Sequence, residues 1–134
     1  MSSSAAQQYY SYFLTTFPCL IGTLLLYSGF VGTFISPLYW AKGFGLPTAT
    51  KENVVLFPSA TGRNLGAGFF VWTMILLGER KILGIFFICW AWAGVADTKI
   101  LLEHPQGTNR GIHARNTVIL LILGPLLIRS SSSL

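Results

Sequence analysis

Asp97 is the residue whose type and position most need an explanation. It stands in the apolar run ILGIFFICWAWAGVADTKILL, residues 82–102, five residues before the end. In a helix rising about 1.5 Å per residue it would lie roughly 7 Å inside that end. A carboxylate at membrane depth costs ~2.5–3.5 kcal/mol on insertion scales, so it needs a partner or water. Arg63, at the mouth of the preceding run, is the natural partner, since a guanidinium can hold a carboxylate through two hydrogen bonds. His113 opens the following run and has an unperturbed pKa of about 6.5, suited to moving protons near neutrality. Trp90, Gly94, Asp97 and Leu101 share one helical face. Gly94, one turn before the acid, is expected to leave a hollow beside it. An acid, a base and a fixed cation around a small cavity would serve general acid–base chemistry. The structural alternative is a clasp in which Arg63 and Asp97 only satisfy one another. His113 could then be an interfacial anchor, and Lys99, Arg110 and Arg115 read as snorkelling flanks.

These side chains meet only if the apolar runs cross and recross a membrane. Four runs are near the ~20 residues that span ~30 Å of hydrocarbon. They predict helices over about 13–35, 62–77, 82–102 and 112–128 in a single transmembrane domain over 1–134. The fold class expected is all-α, an antiparallel four-helix integral membrane bundle. Only Gly78, Glu79, Arg80 and Lys81 separate the second and third runs, a turn that makes antiparallel neighbours. The first loop is long and rich in Pro, Gly and aromatics, with Tyr39 and Trp40 suited to the interfacial belt. Pro105 and Gly107 stop the third helix.

Alternating crossings gather Arg63, Asn64, Asp97, Lys99, Glu103, His104, His113, Arg115 and Asn116 on one side. The other side has little beyond Glu79, Arg80, Lys81 and Arg129. Glu103 and His104 are expected to face water. Gly22 with Gly29, Ser28 with Gly32, Gly62 with Gly66 and, more weakly, Ala91 with Val95 stand at helix-packing spacing. Small residues there let backbones approach closely. No internal repeat is visible, and the serine-rich tail from Arg129 to Leu134 carries no signal.

Composition points the same way. The 134 residues are 52% hydrophobic and only 10% charged, against roughly 25% charged in an average soluble domain. A soluble chain this short could not hide so much apolar surface. The net charge of +5 is spread singly at the ends of apolar runs, with no basic stripe to track phosphates, so nucleic acid is excluded as a partner. Cys19 and Cys89 lie inside apolar runs and read as small buried side chains rather than a disulfide. No metal-ligand spacing is present and no cofactor is expected. The polar, uncharged start lacks the basic n-region and cleavage site of a signal peptide, so the first run is expected to stay as an anchor. Lys42, Lys51, Arg63, Lys99, Arg110 and Arg115 outnumber Arg80, Lys81 and Arg129. That bias would place the polar cluster in the cytosol and both termini in the lumen.

GFGLP in the first loop, TGRNLGAG opening the second run, KILG opening the third, and ADTKILLE followed by HARNT together resemble a widespread family of uncharacterised four-helix membrane proteins. In that family the second helix opens with a G-x-R-D-like motif, the third ends with an Asp before a Gly-containing turn, and the fourth begins with a His. The matching positions are Gly62, Arg63, Asn64, Asp97, Gly107 and His113, within a resemblance covering roughly Gly22 to Ile122. Asn64 departs from the pattern, standing where an acid is frequent, so a mechanism needing two carboxylates at that mouth is in doubt.

Fungal members that the chain resembles accompany polyketide or terpenoid pathways, where small membrane proteins are assigned as epoxide hydrolases or cyclases. The resemblance therefore implies an enzyme of the endoplasmic reticulum membrane that opens or cyclises an epoxide on a lipophilic secondary metabolite. Asp97, oriented by Arg63 and Asn64, would be the base, and His113 or Tyr39 the acid, with an alkyl-enzyme ester on Asp97 as a further route. Partners would be the lipid bilayer and a lipophilic small molecule. The alternative is a non-catalytic scaffold or accessory subunit that organises pathway enzymes or further copies of itself. A transporter ranks third, because Asp97 lies towards one end rather than at the midplane and the first helix carries no acid.

Overall fold

Long apolar stretches dictate the architecture, and the computed structural model, which describes residues 3–131, is helical with no strand among them. Met1, Ser2 and residues 132–134 of the serine-rich tail lie outside the described residues. Helix α1 spans Ser3–Phe30 and runs on into a π-helical turn over Val31–Ile35. Helix α2 is Pro37–Phe44, α3 is Phe57–Leu76, α4 is Arg80–Glu103 and α5 is Arg110–Ser131. The helix expected over 13–35 thus begins ten residues earlier, at Ser3. Ala5, Ala6, Gln7 and Gln8 are good helix formers, and polarity alone does not end a helix. The long first loop also holds more structure than its composition suggests, with α2 and a 3-10 turn at Val54–Leu56.

Local chemistry explains the breaks. Ser36 donates its N–H to the Val31 carbonyl at 2.8 Å, closing the wide turn. Pro37, at the start of α2, has no N–H with which to continue it. Gly78 turns the chain between α3 and α4 at φ +73°, a left-handed conformation that a Cβ disfavours. His104 takes an extended ψ of 123° after α4, as the residue before Pro105 must.

Three helical stretches are long and apolar enough to cross a membrane: Ala5–Ile35, Arg80–Glu103 and Arg110–Ser131. Helix α3 is not among them, because its first half holds Ser59, Thr61, Arg63 and Asn64.

The helices pair through glycines. A Cβ on Gly22 would meet Val71, one on Gly68 would meet Leu26, one on Gly29 would strike the Leu65 backbone, and one on Gly32 would strike Thr61. Numbers therefore rise along α1 as they fall along α3. In the same way Gly84 lies on the Gly124 carbonyl and Gly94 on Thr117, joining α4 to α5. Gly62 and Gly66, at packing spacing in the sequence, are not close contacts: a Cβ on Gly62 would meet only Thr33 Oγ1 at 3.9 Å, and one on Gly66 nothing within 4 Å. Of the weaker pair, Ala91 is buried and Val95 is exposed.

A core of Leu14, Val71, Leu83, Phe87, Leu123 and Leu127 draws on all four long helices. It sits at one end, towards the start of α1 and α4. Cys19 is half-buried and Cys89 is exposed, both as free thiols, which corrects the expectation that both are buried. Cys89 lies on the outward face of α4, near Trp92, which is also exposed.

Candidate acid–base site at the polar end

The opposite end is polar. Thr33 in the π turn and the buried Thr61 of α3 join hydroxyls at 2.9 Å. Half a turn further along α3, Arg63 Nη2 donates to Asp97 Oδ1 of α4 as an ion pair. Side-chain exposure is 34% for Arg63 and 15% for Asp97, so the carboxylate is largely shielded while its partner still reaches solvent or headgroups. Arg63 Nε is buried and finds no acceptor among the described residues.

His113 of α5 lies on the other side of the carboxylate, with Nδ1 3.8 Å from Asp97 Oδ2. That gap exceeds a direct hydrogen bond. The ring is oriented from outside: Nε2 is 3.0 Å from the Phe44 carbonyl oxygen, and the Phe44 ring packs on the imidazole at a centroid distance of 4.5 Å. A carbonyl oxygen only accepts, so Nε2 carries a proton and donates it. In the neutral ring Nδ1 then presents a lone pair towards Asp97, and in the cation it presents an N–H.

Phe44 reaches this place because the C-terminus of α2 is tied down. Gly45, at φ +125°, leaves no room for a Cβ against the Thr108 carbonyl, and its own carbonyl accepts from Thr108 N–H at 3.0 Å. Asn109 donates from its side chain to the Gly43 carbonyl at 2.8 Å. Nearby, His104 Nδ1 accepts from the Gln106 N–H at 3.3 Å, which leaves Nε2–H to donate to the Thr48 hydroxyl at 3.2 Å. His104, half-buried at the surface, thus helps to hold the loop, and Glu103 is exposed and pairs with Lys99 at 3.6 Å.

Arg63, Asp97 and His113 are thus gathered as a cluster. Asn64 is half-buried and forms no side-chain hydrogen bond among the described residues. Tyr39, in α2, is 73% exposed and stands edge-on to Trp40, and it makes no hydrogen bond or ion pair with the cluster. The hollow expected beside Gly94 is filled by Thr117, whose hydroxyl donates to the His113 carbonyl at 2.9 Å. Phe44 and Thr117 were not singled out from sequence. Thr117 is legible in retrospect as the residue one turn after His113, but a backbone carbonyl such as that of Phe44 leaves no trace in residue type.

Fold and site together define an all-helical protein with helices of membrane-crossing length, compatible with a multi-pass membrane protein, and a shielded Arg–Asp–His cluster at one end. The family described as Domain of unknown function (DUF4267) matches residues 22–127, and the chain belongs to it. No curated protein and no solved structure matches the chain.

Proposed function

We propose that the chain is a four-helix antiparallel membrane bundle, of the endoplasmic reticulum, that opens or cyclises an epoxide on a lipophilic intermediate. The observation that carries this reading is the way Asp97 and His113 face each other. Oδ2 and Nδ1 stand 3.8 Å apart without bonding, while Oδ1 is held by Arg63 and Nε2 by the Phe44 carbonyl. Each group keeps one atom that no third residue holds, and those two atoms face each other.

From the ion-pair state, Asp97 Oδ2 takes a proton from water or from a substrate hydroxyl as its oxygen attacks the epoxide carbon. His113 gives its Nδ1 proton to the epoxide oxygen as the C–O bond breaks. The proton on Asp97 then passes to Nδ1, restoring the starting state. Water as nucleophile yields a diol, and an internal hydroxyl yields a cyclic ether. Membranes containing the chain are expected to convert a lipophilic epoxide, and Asp97→Asn and His113→Gln to lose at least about a hundredfold, the usual span of acid–base contributions. Equal turnover in well-expressed variants and wild type would overturn the proposal.

A second reading has its own observation: the Arg63–Asp97 pair ties α3 to α4. On that reading the cluster is a clasp in a non-catalytic scaffold for pathway enzymes or further copies of the chain. The double replacement Arg63→Met with Asp97→Leu separates the two. Replacing an ion pair by apolar residues is often neutral for stability, so a scaffold would keep its function and an enzyme would lose turnover.

A further inference from the structure

Lys42 at the end of α2 and Lys51 in the following loop line one open groove of about 580 Å³, together with Ser36 and Tyr39. Neither lysine has an ion-pair partner among the described residues, whereas Arg63 is paired with Asp97 and Lys99 with Glu103. Glu52, the acid next in sequence to Lys51, is exposed and does not line the groove. Two cations facing one space repel each other unless an anion lies between them.

The surroundings indicate what kind of anion. The groove's apolar wall includes Ile35, the last residue of the long apolar stretch from Ala5. Ile35 is 61% exposed, as is its neighbour Phe34 at 66%, and the Phe34 ring packs, tilted by 52°, against Phe30 one turn back along the same helical stretch. On the loop side Val55 and Leu56 are exposed at 73% and 78%. Water is a poor solvent for this apolar surface, and a bilayer edge is a good one. Cations, a tyrosine hydroxyl and a serine stand at the rim, and a phenyl stripe descends from it, which is the order of a lipid's own parts.

We infer that this groove is a binding site for an anionic phospholipid, with its phosphate between Lys42 and Lys51 and an acyl chain along Phe34 and Phe30. The site is separate from Asp97 and does not depend on the chain being an enzyme.

The test uses the full chain reconstituted into phosphatidylcholine bilayers doped with spin-labelled phosphatidylglycerol or, in parallel, spin-labelled phosphatidylcholine. Wild type should hold the anionic label in preference to the zwitterionic one. Lys42→Gln with Lys51→Gln should reduce that preference about tenfold, given that each lysine near an anionic surface contributes substantially. Arg110→Gln with Arg115→Gln, which removes two exposed charges outside the groove, should leave it nearly unchanged. No preference in wild type, or an equal fall in both double variants, would overturn the site in favour of general surface charge. Displacement of the label by inorganic phosphate at matched ionic strength would also overturn it, because the groove would then hold a free phosphate and not a lipid.

Discussion

A carboxylate between an arginine and a histidine can be a catalyst or a fastener, and the difference lies in single atoms. Asp97 Oδ1 belongs to Arg63, so only Oδ2 is available, and it faces the one imidazole nitrogen not tied to the backbone. Removing the charge should therefore have separable effects. Asp97→Asn is expected to destabilise the protein by less than the ~3–5 kcal/mol typical when one partner of a buried pair is removed. Arg63 is a third exposed and can turn towards water or headgroups. Thermal melts in detergent would measure this, and a collapse of the fold would favour the fastener. Asp97, Arg63 and His113 were legible in the sequence because charges inside apolar runs stand out at once. Asn64 and Tyr39 make no hydrogen bond with them: adjacency to Arg63 does not bring a side chain to the same carboxylate, and Tyr39 stands on the short helix α2 at the surface. The Phe44 carbonyl was invisible, since every residue has one.

At the scale of elements, glycines decide which helices pair, and their spacing in sequence was only partly informative. Gly22, Gly29 and Gly32 do press against α3, but Gly66 faces open space, while Gly68, Gly84 and Gly124, which spacing did not single out, carry close contacts. A small residue shows that close approach is allowed, and only the partner helix shows whether it happens. Two substitutions make the contrast measurable. Gly84→Ala puts a methyl 2.6 Å from the Gly124 carbonyl, with Ile128 Cγ1 at 2.8 Å, and should cost about 1–3 kcal/mol as an overpacked site. Gly66→Ala meets nothing within 4 Å and should be neutral or gain up to ~1 kcal/mol from helix propensity. Equal melting temperatures for the two variants would refute the α4–α5 packing. The tether from α2 follows the same logic. Gly45→Ala is strained both by φ +125° and by the Thr108 carbonyl, so it should loosen the loop and release the Phe44 ring from His113. Faster proteolysis within residues 43–53, with the long helices intact by circular dichroism, is the expected result.

Over the whole molecule the two ends differ in kind. Leu14, Val71, Phe87 and Leu127 fill one end, and Thr61, Arg63, Asp97 and His113 occupy the other. A bilayer tolerates such a chain if the polar end lies near a headgroup layer, where charges reach water at low cost. The number of crossings turns on α3. Its 20 residues would span about 30 Å as a helix, yet its first half is too polar to mark it as a span by composition. Close packing on α1 through Gly29, Gly32 and Gly68 would shield part of that half from lipid, which composition does not register. The consequence is topological. If α3 crosses, Lys51 before it and Glu79 after it lie on opposite sides of the membrane; if it lies at the surface, they share a side. Both residues are exposed, so each can be replaced by a single cysteine in a Cys19→Ser, Cys89→Ser background and labelled with a membrane-impermeant maleimide on sealed vesicles. Labelling of one position from outside, and of the other only after permeabilisation, is the result expected of four crossings. The bias of Lys42, Lys51, Arg110 and Arg115 towards the polar end predicts that Lys51→Cys is the one reached from the cytosolic face. Simultaneous labelling of both from one face would leave three crossings, with α3 held against α1 by the glycine contacts and against α4 by the Arg63–Asp97 pair.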